Sequence, residues 1–90
     1  MTVLTSDHDP NSAAAHENRT AMLAAIDRVA TLAGTIFAGG SAASRERHLA
    51  RGKLLPRDRV AGLLDAGADF LEIGLFAAHD LYEDPIPAAG

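Results

Sequence analysis

Alanine limits the core that this chain can build, because 19 of its 43 apolar residues are alanine. Only 24 large apolar side chains remain among the 90 residues, and tryptophan is absent. A fully buried large side chain stabilises a fold by roughly 1.5–3 kcal/mol, whereas ordering each residue costs roughly 1.5 kcal/mol. We therefore expect one small domain at most, with a marginal fold when the chain stands alone.

Composition also excludes several classes of site. The chain has no cysteine, and therefore no disulfide, thiolate zinc site or cysteine nucleophile. Its four histidines lack the four-residue helical spacing of a zinc-protease motif, so no metal site is predicted. No unbroken apolar run approaches the ~20 residues of a membrane helix, and residues 1–10 do not resemble a signal peptide. We expect a cytoplasmic protein without a membrane partner.

The first helix is predicted from the spacing of its apolar residues. Residues 1–15 lack periodicity and are expected to form a disordered tail. Within residues 16–37, large apolar residues and one alanine recur every three or four positions, which predicts a helix with one apolar stripe. This apolar stripe consists of Met22, Ile26, Val29, Ala33 and Ile36. The Gly39-Gly40 pair is expected to end the helix.

A second helix is predicted from its capping residues. Either Ser41 or Ser44 can cap the start of a helix that runs to about Ala50. Gly52 is expected to stop it, because glycine readily takes the left-handed backbone conformation that follows a helix end.

A third helix and a short strand are predicted after this turn. Pro56 suits the first turn of a helix, which is expected to end near Asp65 with Gly67 as its cap. The apolar run at residues 70–73 predicts one strand. Residues 75–78 could extend this strand or bend it past Gly74, which gives one or two short strands. Such strands need a sheet, and the chain does not supply one. We therefore expect the 90 residues to be a mostly helical beginning of a larger α/β domain.

Positive charge is concentrated in one segment of an otherwise acidic chain. The net charge is −4, yet six of the eight basic residues lie between positions 45 and 59. This asymmetry favours a local anion site. Arg51 and Lys53 flank Gly52, where both side chains could hold one phosphate. The alternative is structural ion pairing of Arg45, Arg47, Arg57 and Arg59 with Glu46, Asp58, Asp65 and Glu72.

The same segment carries the most specific motif of the sequence. Gly39-Gly40 is followed by RERHLARGKLLPRDRV at 45–60, LLDAGADFLE at 63–72, and LY at 81–82 with PAAG at 87–90. This order resembles the start of the carboxyltransferase (beta) subunits of biotin-dependent acyl-CoA carboxylases, and the methylcrotonyl-CoA branch more than the propionyl-CoA branch. Ala43 and Ala68 depart from the usual lysine and small hydroxyl residue of that pattern.

The resemblance implies a fold, a reaction and partners. In the implied α/β fold, residues 16–90 supply the N-terminal helices and first strand of a crotonase-like carboxyltransferase domain, which they leave incomplete. The implied reaction transfers a carboxyl group from carboxybiotin to an acyl-CoA such as 3-methylcrotonyl-CoA. Carboxybiotin would come from a biotin-carrying alpha subunit, and beta subunits would form a homo-oligomer. No catalytic residue and no directly bound cofactor are expected here, so the 90 residues alone should be inactive.

Arg47, Arg51 and Lys53 are the candidate substrate-binding residues, because CoA carries a 3′-phosphate and a pyrophosphate that attract cations. Two other functions remain open. One is a small helical protein–protein interaction module that docks through the apolar stripe. The other is weak nucleic-acid binding by residues 45–59, which is disfavoured because the chain is acidic and no aromatic residue lies near the basic run. No nucleic-acid partner is therefore predicted.

Overall fold

The computed structural model describes residues 1–86, and the regular structure within that range is three helices. Helix α1 spans Ala13–Ala38, α2 spans Ala42–Ala50 and α3 spans Pro56–Leu63. The chain divides into two compact units, Met1–Ala30 and Thr31–Gly90. The final piece of the sequence motif, at 87–90, lies outside the described residues.

Helix α1 confirms the predicted helix and extends it at both ends. The hydroxyl oxygen of Ser12 accepts a hydrogen bond from the Ala15 N–H at 3.1 Å, which caps the helix start. At the other end, the Gly39 N–H donates to the Ile36 carbonyl at 2.9 Å. Gly39 has a φ of 85°, as expected for a left-handed helix end. The last three residues of the predicted tail are helical, and disorder of the tail stays a prediction.

The apolar stripe of α1 is buried at its last position. Ile36 is 6% exposed, whereas Met22, Ile26 and Val29 are each more than half exposed. Of the 24 large apolar side chains, all within residues 1–86, Ile36 is buried and 19 are exposed. The small core matches the expectation from the alanine content.

Helix α2 begins at the first of the two candidate caps. The Ser41 hydroxyl accepts a hydrogen bond from the Ser44 N–H at 3.2 Å, so Ser41 is the N-cap. The helix closes through the Gly52 N–H, which donates to the Leu49 carbonyl at 2.9 Å. Gly52 has a φ of 73°, which confirms its predicted role as the stop.

Helix α3 begins at Pro56, as predicted, but ends at Leu63 rather than near Asp65. The backbone of Leu64 is extended, and Gly67 lies in a separate turn, closed by the Ala68 N–H and the Asp65 carbonyl at 3.0 Å. Gly67 therefore reverses the chain after α3 instead of capping the helix.

The predicted strand at residues 70–73 does not form within the described part of the chain. No described backbone–backbone hydrogen bond involves residues 69–73. A strand exists only when its N–H and C=O groups pair with a neighbour, and residues 1–86 form no strand to pair with. The prediction of a mostly helical segment is confirmed.

One stretch within Ala13–Ala50 is long and apolar enough, by length and composition alone, to cross a membrane. This stretch was not predicted, because polar residues interrupt it and it holds no long unbroken apolar run. Asp27 and Arg28 lie near the middle of α1. Each charge at the centre of a bilayer costs roughly 2.5–3.5 kcal/mol, which argues against insertion.

Candidate functional site

The last turn of α2 and the connection to α3 carry the three predicted substrate-binding residues. Arg47 lies in the last turn of α2, Arg51 is its C-cap, and Lys53 follows Gly52. We call Arg51, Gly52 and Lys53 the basic turn. A Cβ atom built on Gly52 would meet no atom within 4 Å, so a ligand could approach this backbone closely. The structure therefore brings the three cations onto one helix end and the turn that follows it.

These three cations are not committed to carboxylates in the described part of the chain. Arg47, Arg51 and Lys53 are all exposed, and none forms an ion pair within residues 1–86. Arg47 donates from Nη2 to the Ser44 hydroxyl at 3.3 Å. Binding of a substrate by these residues stays a prediction, but their side chains are available to an anion.

Arg57, in contrast, is committed to a structural contact. Its guanidinium donates two hydrogen bonds to the Glu72 carboxylate, with 2.6 Å between Nη2 and Oε1 and a second bond from Nη1 to Oε2. The guanidinium carbon lies 4.3 Å from the centre of the Phe37 ring. We call Phe37, Arg57 and Glu72 the Arg57 cluster. It joins the end of α1, the start of α3 and the extended segment after α3.

Charge-assisted hydrogen bonding shifts the acidity of both partners in the Arg57 cluster. The hydrogen bond from Arg57 lowers the pKa of the Glu72 carboxyl below its ordinary value. The same bond raises the pKa of Arg57 above its ordinary value. Both changes keep the pair ionised.

The structural alternative for the basic segment is thus confirmed at one pair. Arg57–Glu72 is the arginine–carboxylate ion pair found among residues 1–86. Arg45 donates a hydrogen bond to the Gly40 carbonyl instead, and Arg59 forms no ion pair within residues 1–86. The basic segment therefore divides into a scaffolding part and an uncommitted part.

Sequence reasoning missed His48, because it considered the four histidines only as possible metal ligands. The Nε2 atom of His48 lies 2.9 Å from the Leu54 carbonyl oxygen, across the basic turn. The available signal was its position in the last turn of α2, within reach of the chain that reverses at Gly52. No group of three residues that could hold a metal ion occurs among the described histidines and carboxylates.

An apolar groove of about 920 Å³ lies within the second unit. The end of α1, helix α3 and the segment after α3 form its walls, with Ile36, Val60 and Phe70 among the apolar side chains. Arg57 and Glu72 lie on its lining. Sequence patterns did not predict this groove, because its walls come from separate parts of the chain.

Known proteins with similar sequences are carboxylase subunits. The mitochondrial methylcrotonoyl-CoA carboxylase beta chain of Arabidopsis thaliana is 39% identical over 88 residues, which is 98% of this chain and 15% of that protein. A probable mitochondrial methylcrotonoyl-CoA carboxylase beta chain of Drosophila melanogaster is 38% identical over the same shares. The biotin-dependent 3-methylcrotonyl-coenzyme A carboxylase beta1 subunit of Mycobacterium tuberculosis is 54% identical over 52 residues, 58% of this chain and 10% of that protein.

No family model and no solved structure matches the chain. The chain spans about 15% or less of the length of these curated relatives. The matches confirm the resemblance inferred from the motif at 45–60. Over nearly its whole length, this chain is a relative of the beta subunits of acyl-CoA carboxylases, methylcrotonyl-CoA carboxylases among them.

Proposed function

We propose that this chain is a segment of the carboxyltransferase subunit of a biotin-dependent acyl-CoA carboxylase, and that it binds the phosphates of the acyl-CoA substrate. Similarity to carboxylase beta chains over 98% of the chain supports the first part. The uncommitted cations Arg47, Arg51 and Lys53, placed at an open glycine turn, support the second. The proposed contact with the substrate rests on one observation: these three exposed cations form no ion pair within residues 1–86.

The chemistry of the ligand suits these side chains. CoA presents a 3′-phosphate and a pyrophosphate at the end remote from its thioester. Arginine binds a phosphate with two parallel N–H groups, and lysine adds a compact positive charge. Arg57 contributes little to such a site, because Glu72 already occupies its guanidinium. The proposal therefore assigns substrate contact to the α2 end and structural support to the Arg57 cluster.

The whole subunit would supply the remaining parts of the reaction. We propose a crotonase-like domain in which residues 70–73 pair as a strand. The carboxyl group would arrive on biotin carried by an alpha subunit, and the beta subunit would assemble into a homo-oligomer in the cytoplasm. This segment would hold no cofactor and no catalytic residue, so the 90 residues alone would not transfer a carboxyl group.

Alanine substitution at the basic turn tests the substrate contact. In the beta subunit that carries this segment, Arg51→Ala and Lys53→Ala should each raise the KM for acyl-CoA at least about tenfold, since a hydrogen bond to a charged group contributes roughly 1.5–3 kcal/mol. The value of kcat should hold, because the phosphates lie far from the reacting carbon and are bound equally in both states. A higher salt concentration should reduce the difference in KM between wild type and the two variants.

Arg28→Ala, at an exposed arginine of α1, is the matched control and should leave KM unchanged. The melting temperature separates binding from folding. An unchanged KM together with a clearly lower melting temperature would refute the phosphate contact. Arg51 and Lys53 would then have a structural role.

The exposed part of the apolar stripe favours a second candidate function, a helical module that binds another protein. Met22 is 62% exposed, and Ile26 and Val29 are each 55% exposed. This function fails if the coding DNA continues, in frame or after one frameshift, into glycine-rich carboxyltransferase sequence.

A further inference from the structure

The basic turn is tied to α2 at both of its ends. On the near side, the Arg51 and Gly52 N–H groups donate to the His48 and Leu49 carbonyls, at 3.3 and 2.9 Å. On the far side, the His48 imidazole meets the Leu54 carbonyl at 2.9 Å. The backbone bonds close the helix, whereas the imidazole bond closes the turn.

The direction of the second bond follows from its acceptor. A carbonyl oxygen can only accept, so His48 donates from its Nε2–H. The side chain is partly buried, whereas Arg51 and Lys53 are exposed. Both cationic residues lie in the chain between positions 48 and 54, which this bond connects. Without it, Lys53 and Leu54 would gain backbone freedom, and a ligand would have to order them again on binding.

We propose that His48 is a positioning residue of the phosphate site, because its imidazole holds the basic turn in one conformation. This inference rests on the proposed function, since it concerns the same cations. His48 does not touch the substrate. Its hydrogen bond to the Leu54 carbonyl restricts the conformation of Arg51 and Lys53, which carry the charges. This role requires a hydrogen-bond donor at position 48.

Binding of coenzyme A to the beta subunit that carries this segment tests the proposal. The subunit is titrated with coenzyme A in a calorimeter, which gives the dissociation constant. His48→Leu removes the donor and should weaken binding about tenfold, which corresponds to about 1.4 kcal/mol. His48→Gln retains an N–H donor and should restore most of the affinity. His16→Leu makes the same substitution at an exposed histidine of α1 and should bind as wild type does.

Pantetheine, which lacks phosphate, serves as the second probe and should bind equally to wild type and to His48→Leu. A wild-type subunit that does not bind coenzyme A, or that binds pantetheine as tightly as coenzyme A, overturns the phosphate site together with the proposal. If Arg51→Ala weakens binding but His48→Leu does not, the phosphate site stands and the role of His48 is wrong. If His48→Leu loses its helical circular dichroism spectrum, its weak binding reflects unfolding, and the His48→Gln variant becomes the test of the proposal. A helical Gln variant that binds as weakly as Arg51→Ala overturns the proposal.

Discussion

Truncation of Ile36 tests whether the end of α1 carries the buried core of the second unit. Ile36 is 6% exposed and Ile26 is 55% exposed, on the same helix. Replacing isoleucine by alanine removes three carbon groups, each worth about 0.8 kcal/mol when fully buried. Scaled by the buried fraction, Ile36→Ala costs about 2.2 kcal/mol and Ile26→Ala about 1 kcal/mol. The gain in helix propensity is the same at both positions, so the difference reports burial.

Native-state hydrogen exchange can measure this difference, because it detects local opening and needs no single cooperative transition. We expect amides around Ile36, including the bonded Gly39 N–H, to lose protection about 40-fold in Ile36→Ala. Amides around Ile26 should lose protection about fivefold in Ile26→Ala. Circular dichroism should show that both variants remain helical. Equal losses at the two positions would refute the argument from burial.

Three further predictions concern the exposed surface and the Arg57 cluster. With 19 of 24 large apolar side chains exposed, the isolated chain should self-associate or melt without cooperativity; a sharp melting transition that is independent of concentration would contradict this. Ile26→Asp should disrupt folding or assembly if the apolar stripe packs on protein, and unchanged sedimentation and stability would show that it does not. The lowered pKa of Glu72 means that its stabilising contribution is complete above the ordinary value of 4.5 and is lost as the pH falls through the folded value. Loss of the ion pair in acid should therefore shift the NMR resonances of the Phe37 ring, which contacts the Arg57 guanidinium. In Glu72→Gln this acid-induced shift should be absent.

The helices were predictable because their signals are local. Ser41 and Pro56 sit at helix starts, and Gly39 and Gly52 follow helix ends, so each boundary is marked within a few residues. The start of α1 was missed for an equally local reason. Its first three residues are alanines, which are the best helix formers but contribute nothing to a pattern of large apolar groups.

The contacts of the site were harder to predict, because they join distant positions. Arg57 and Glu72 are 15 residues apart, and the sequence offered four arginines and four carboxylates as possible partners. The turn at Gly67 reverses the chain after α3, and this reversal brings Glu72 next to Arg57. His48 and Leu54 meet for the same reason, since the turn at Gly52 brings them together. Charge alone predicted an anion site but could not say which cations were free.

The strand shows where local reasoning must fail. A helix satisfies its backbone within its own segment, so its sequence can specify it. A strand is defined by bonds to a neighbour, and none of residues 1–86 forms one for the segment at 70–73. Leu71 and Ile73 remain 84% and 82% exposed, while Glu72, between them, is held by Arg57. The alternation that predicted a strand is therefore real, and it presents two apolar side chains on the face opposite the ion pair. A strand at this position would need a partner strand, which no periodicity within the segment can provide.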